Sequence, residues 1–125
     1  MRFAKWTFLA AGVYGFLVIT PLFFLEGAIG RASGPITHPE YFYGWTTAAL
    51  VFQTMFLAIG RDPVRFRPFM IVAMLEKFTW LVSLWTLAGL GRVPGSTVAV
   101  GSLDLVWGLL FVAAYVRTRG DPSSS

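Results

Sequence analysis

Cysteine is absent from the 125 residues, and histidine occurs once. The first absence excludes disulfides, thiolate metal centres, iron–sulfur clusters and thiol redox chemistry. The second leaves no set of imidazoles to hold a metal ion. Charge is scarce as well: 13% of residues are Asp, Glu, Lys or Arg, against about 25% in an average soluble domain. Nor is there a nucleophile with a positioned base or a glycine-rich phosphate loop. No catalytic residue, metal or cofactor is therefore expected. What is abundant is apolar surface: 56% of residues are hydrophobic and 17% aromatic, and the mean hydropathy is +0.67. So little polar surface cannot cover a water-soluble globule of this size, and so apolar a chain is not disordered.

The few charges bound long apolar runs. Lys5 and Glu26 enclose residues 6–25, and Glu40 and Arg61 enclose 41–60. Residues 68–91 and 93–116 form two more runs between Arg67, Arg92 and Arg117, and the fourth helix is expected over 96–117. A helix needs about 20 residues to cross the hydrocarbon core, so each run is long enough. None alternates with the period of two that a barrel strand requires. The expected fold is all-α, a four-helix transmembrane bundle forming one domain over residues 1–125, with a polar tail at 118–125. The first run, at 20 residues, exceeds the 7–15 of a signal-peptide core and lacks a small-x-small site, so it is expected to remain as an anchor. Pro39 with Glu40 marks the start of the second helix, Asp62-Pro63 that of the third, and Ser96 or Thr97 a cap for the fourth. Gly89 and Gly91 mark the third helix's end. Pro21 is expected to kink the first helix.

Lys and Arg are unevenly shared between the two sides. Seven fall on the side of Arg2, Arg61 and Arg117, and two, Arg31 and Arg92, on the other. The positive-inside bias then places both termini in the cytoplasm of a bacterial inner membrane. The net charge of +4 reflects this bias and not nucleic-acid binding. It favours anionic lipid headgroups at the cytoplasmic face, with Arg61, Arg65 and Arg67 as the expected contacts. Trp6, Phe66, Phe69 and Tyr115 fall at the inner interface, and Tyr41, Tyr43, Trp45 and Trp85 at the outer one, as an aromatic belt does. Trp80 and Trp107 fall deeper, where an indole N–H needs a partner.

Three ionisable residues lie inside predicted spans: Glu76, Lys77 and Asp104. Each would cost several kcal/mol facing lipid, so all should face the interior. At 1.5 Å per residue, Glu76 and Lys77 lie about 12–14 Å in from the cytoplasmic end, Asp104 roughly 18 Å, and Tyr14 and Gln53 about 10–12 Å along their own helices. These five are the candidate ligand or proton site, one polar layer supplied by all four helices. Glu76 and Lys77 leave their helix about 100° apart. The simplest expectation pairs Lys77 with Asp104 and turns Glu76 toward Gln53, Tyr14 or a tryptophan. Small residues at Gly12, Gly15, Gly101 and Gly108 are expected where helices cross. In the outer loop, His38 beside Glu40 reads as a helix start.

The segments HPEYFYGW, QTMFLAIGRDPVRFRP, LEKF and DLVWGLLFVAAYVRT together resemble a group of small bacterial four-helix membrane proteins, over roughly residues 38–119. The chain is also loosely similar in size and layout to the DoxX-like membrane proteins. The resemblance implies an inner-membrane location and a single four-helix unit, and it implies no activity. The expected function is that of a non-enzymatic accessory or structural subunit, packing against membrane proteins or against a second copy. The alternative is a small transporter or hydrophobic-ligand binder using Glu76 and Asp104.

Overall fold

The computed structural model describes residues 2–118, so the expected tail, apart from Thr118, lies outside the described residues. Six helices follow one another: α1 (Arg2–Ile19), α2 (Glu26–Ser33), α3 (Pro39–Arg61), α4 (Arg67–Gly89), α5 (Gly95–Gly101) and α6 (Asp104–Arg117). Four stretches are long and apolar enough to cross a membrane: Arg2–Phe24, Pro39–Arg61, Arg67–Gly89 and Gly95–Arg117. Each has 23 residues. That length corresponds to about 34 Å of helix, enough for the hydrocarbon core.

Local chemistry explains most boundaries. Pro39 opens α3, with Glu40 in its first turn. Pro21 has no N–H to continue α1, which tightens into a 3-10 turn over Thr20–Phe24. At the end of α4, Gly91 takes a φ of +69°, the left-handed conformation that glycine adopts freely. Arg92 N then donates to Leu87 O at 2.9 Å and Gly91 N to Ala88 O at 3.0 Å, closing the helix as a Schellman motif. Two expected starts differ. Asp62 caps a turn, accepting the Arg65 N–H at 3.3 Å, and α4 begins five residues later at Arg67. No side-chain cap from Ser96 or Thr97 starts α5, which follows Pro94 directly.

The larger difference is that the fourth span is broken. Its backbone bonds change from the four-residue to the three-residue pattern at residues 102–103. Leu103 N donates to Val100 O at 3.2 Å, Leu105 N to Ser102 O at 3.0 Å and Val106 N to Leu103 O at 3.1 Å. Glycine and serine at 101–102, followed by Asp104, are weak helix formers that favour turns and caps. The break frees the Gly101 carbonyl, and Trp80 Nε1 donates to it at 3.2 Å. Trp85 Nε1 donates to Ser102 Oγ at 2.9 Å. Two indoles of α4 thus satisfy the polar groups of the break.

The helices pack as two antiparallel pairs, α1 on α3 and α4 on α6, and α1 and α6 join the pairs. The first pair is close because it is built on glycine. A methyl group on Gly60 would lie 2.9 Å from the backbone nitrogen of Leu9 and 2.8 Å from its side chain. Gly12 and Gly15 meet Leu57 and Gln53 in the same way. The pairs are joined by aromatic rings. Phe8 of α1 stacks on Phe111 of α6 at 4.4 Å, and Phe56 of α3 stands edge-on to Phe111 at 5.0 Å. The core cluster around these rings, with Ala4, Met70 and Ala114, lies toward the end that carries Arg2 and Arg117. In the other half α5 packs on α4, and the 3-10 turn on α1 and α3.

Gly60→Ala should therefore force a backbone shift and destabilise the protein by about 1–3 kcal/mol, as overpacking does. Gly44 meets nothing within 4 Å, so Gly44→Ala should be neutral or stabilising. Thermal unfolding of the two variants in detergent is expected to shift in opposite directions. A Gly60→Ala variant as stable as the parent would contradict the close crossing.

Candidate functional site

The centre of α4 supplies the charged groups. Lys77 is ten residues into a helix of 23, and only 8% of its side chain is exposed. Its Nζ lies 3.4 Å from Asp104 Oδ1, the pairing expected from the sequence. It also lies 3.4 Å from Glu76 Oε2 and 5.3 Å from the centre of the Phe56 ring. One buried ammonium thus faces two carboxylates and an aromatic face. Asp104 opens α6, so its carboxylate also sits at the positive end of that helix.

The expected five-residue layer is accordingly reduced to three. Glu76 does not turn toward Gln53, Tyr14 or a tryptophan. The two Cα–Cβ directions do diverge, but the long Glu and Lys side chains bend until their charged ends meet. Gln53 is buried against Gly15, and its Nε2 donates to Ala49 O at 2.8 Å within its own helix. Tyr14 is partly exposed and lies against the Trp107 ring, 5.3 Å between centroids. Both serve helix contacts.

Satisfaction within the triad is uneven. Asp104 Oδ1 accepts a hydrogen bond from Lys77, whereas the buried Glu76 Oε2 meets Lys77 by charge alone and has no hydrogen-bond donor. Glu76 and Asp104 keep 20% and 27% of their side-chain surface. Two of the surface concavities measure about 510 Å³ between Glu26 and Ile36 and about 350 Å³ along Phe78, Thr79, Val82 and Ser83. Neither is lined by the triad. Among the described residues no three His, Asp or Glu side chains come together as a metal ion would need.

At the end that carries Arg2 and Arg117, the expected headgroup contacts divide. Arg61 and Arg65 are exposed. Arg67 is not free in the same way: Nη2 donates to Tyr115 O at 2.9 Å, and Nε donates to Thr118 Oγ1 at 3.0 Å. Its guanidinium also lies 3.8 Å from the centre of the Tyr115 ring. Arg67 therefore caps the C-terminus of α6, satisfying a carbonyl that the helix leaves open. Nothing in the spacing of Arg61, Arg65 and Arg67 separates these roles, because the partner is 48 residues away.

Because Lys77 serves two acids, its loss should be the most damaging change at the site. Lys77→Met leaves two carboxylates facing each other and is expected to cost about 3–5 kcal/mol. Asp104→Leu should cost less, since Glu76 remains on the ammonium. The triple variant Glu76→Gln/Lys77→Met/Asp104→Leu should recover most of the folded yield by detergent size exclusion. Purely additive losses across these variants would contradict a shared ammonium. No protein-family model matches the chain, and neither does any curated protein or solved structure.

Proposed function

We propose that the protein is a non-enzymatic integral membrane protein of a bacterial inner membrane, with both termini in the cytoplasm. It serves as an accessory subunit that packs against a partner within the bilayer. The observation that carries this reading is the uneven packing of the spans. The core cluster occupies the inner half, whereas α5, in the outer half, packs on α4. We read the outer half as two helical arms, α1 with α3 and α4 with α5. They carry exposed side chains such as Trp45, Trp85 and Val100. The triad supports the same reading, because its ammonium is occupied by groups of its own chain.

One observation favours a second reading, a small transporter or a binder of lipid or hydrophobic ligands. Glu76 Oε2 has no hydrogen-bond donor, so a ligand group could supply one.

A single experiment separates the two. A photoreactive residue is placed at Trp45 or Val100 on the arms, or at Leu109 in the inner half, and membranes are irradiated. The accessory reading expects a protein adduct of one defined mass from the arm positions, absent from Leu109 and unchanged by Glu76→Gln. The ligand reading expects small-molecule or lipid adducts at the arms that disappear with Glu76→Gln. Identical lipid labelling at all three positions would contradict the accessory reading.

A further inference from the structure

The antiparallel packing gathers the basic side chains at one end. Arg117 of α6 lies over the Phe3 ring of α1, and Arg67 holds the end of α6. Leu9 meets Gly60, which places Arg61 beside the start of α1. This end carries Arg2, Lys5, Arg61, Arg65, Arg67 and Arg117, and Asp62 is its one acid among the described residues. The opposite end is balanced, with Arg31 and Arg92 against Glu26 and Glu40.

Besides Arg67 over Tyr115, three of these cations are seated on aromatic rings. Lys5 Nζ lies 5.5 Å from the Trp6 ring centre, the Arg65 guanidinium 5.4 Å from that of Phe66, and the Arg117 guanidinium 4.5 Å from that of Phe3. Ring contact orients a cation without using its N–H donors. All three are exposed, and none of the ion pairs among the described residues includes them. The acid present, Asp62, accepts the Arg65 backbone N–H and forms no ion pair. Trp6 is itself a side chain that prefers the membrane–water boundary. Three cations with free donors therefore stand at headgroup level. Arg67, by contrast, directs two of its nitrogens into its own chain.

We infer that Lys5, Arg65 and Arg117 form a binding surface for the phosphates of anionic phospholipids, with Trp6, Phe66 and Phe3 holding each cation in place. This rests on the reading that the four apolar helices span a bilayer. It reassigns the lipid contact away from Arg67, which stabilises the helix end instead.

The test uses full-length protein in nanodiscs of phosphatidylcholine. The nanodiscs are titrated with phosphatidylglycerol or a dianionic four-chain phospholipid, and bound lipid is counted by native mass spectrometry. Each exposed basic side chain near an anionic surface is worth about a fivefold change in affinity. Lys5→Gln, Arg65→Gln and Arg117→Gln together should thus lower anionic-lipid retention by roughly a hundredfold, at unchanged thermal stability. Arg31→Gln/Arg92→Gln, at the other end, should leave retention unchanged. Arg67→Gln should lower stability and leave retention within twofold. Trp6→Leu/Phe66→Leu, which keeps every charge, should weaken retention severalfold and shows that the rings position the cations. Equal retention of phosphatidylcholine and anionic lipid would overturn the surface. So would a triple variant that binds like the parent, or an Arg67→Gln variant that alone abolishes retention. Alkaline carbonate extraction of the same membranes distinguishes the underlying failure. A chain released into the supernatant overturns the spanning reading and the lipid surface together, whereas an integral chain with no anionic preference overturns the surface alone.

Discussion

An ammonium group in the middle of an apolar bundle persists only where its charge is answered, and Lys77 is answered twice. Asp104 approaches it from α6 and Glu76 from its own helix, both at 3.4 Å, with the Phe56 ring of α3 beneath. Three of the four spans thus meet at one nitrogen. Desolvating three charges is expensive, and such a group contributes less to net stability than to fixing which helices meet and in what register. The consequences run in both directions along the chain. Inward lies the ring cluster of Phe8, Phe56 and Phe111. In the other direction α6 gives way to a break, and α5 packs on α4.

That break is bound to the triad. Asp104 is the first residue of α6, and the tightened backbone just before it releases the Gly101 carbonyl. Within a bilayer an unpaired carbonyl would cost several kcal/mol, and irregular backbone survives there only when protein covers it. Trp80 and Trp85 provide that cover, so α4 supplies both the counter-charge for Asp104 and the donors for the break. A straight fourth helix would leave Trp80 without its acceptor and Asp104 without its place at a helix N-terminus.

The sequence makes the spans legible because the charges are so few that each marks a boundary. Gly12 and Gly15 read as a crossing for the same reason: in an apolar helix a glycine pair has little other use. The Lys77–Asp104 contact is readable from opposite charges placed deep in two neighbouring spans. Glu76 departs from its expected direction because spacing reports where Cβ points, while long side chains carry their charge several ångströms further. Gln53 and Tyr14 share the depth of the triad without sharing its face. The role of Arg67 could not be read, since its partners Tyr115 and Thr118 become neighbours only when α4 and α6 align. The break, however, left a trace: Gly101, Ser102 and Asp104 form a turn-prone group inside an otherwise apolar run, and Trp80 is an indole in need of an acceptor.

The shared ammonium can be measured directly. Solid-state NMR on protein in lipid bilayers, with Lys77 labelled at Nζ and carboxyl carbons labelled in Glu and Asp, reports which carboxyls touch the nitrogen through dipolar dephasing. Comparison with Glu76→Gln and Asp104→Asn assigns each contribution. The account expects dephasing from both carboxyls, each lost in its own variant and retained in the other. Dephasing from one carboxyl alone, or from neither, would contradict the claim that one buried ammonium serves two acids.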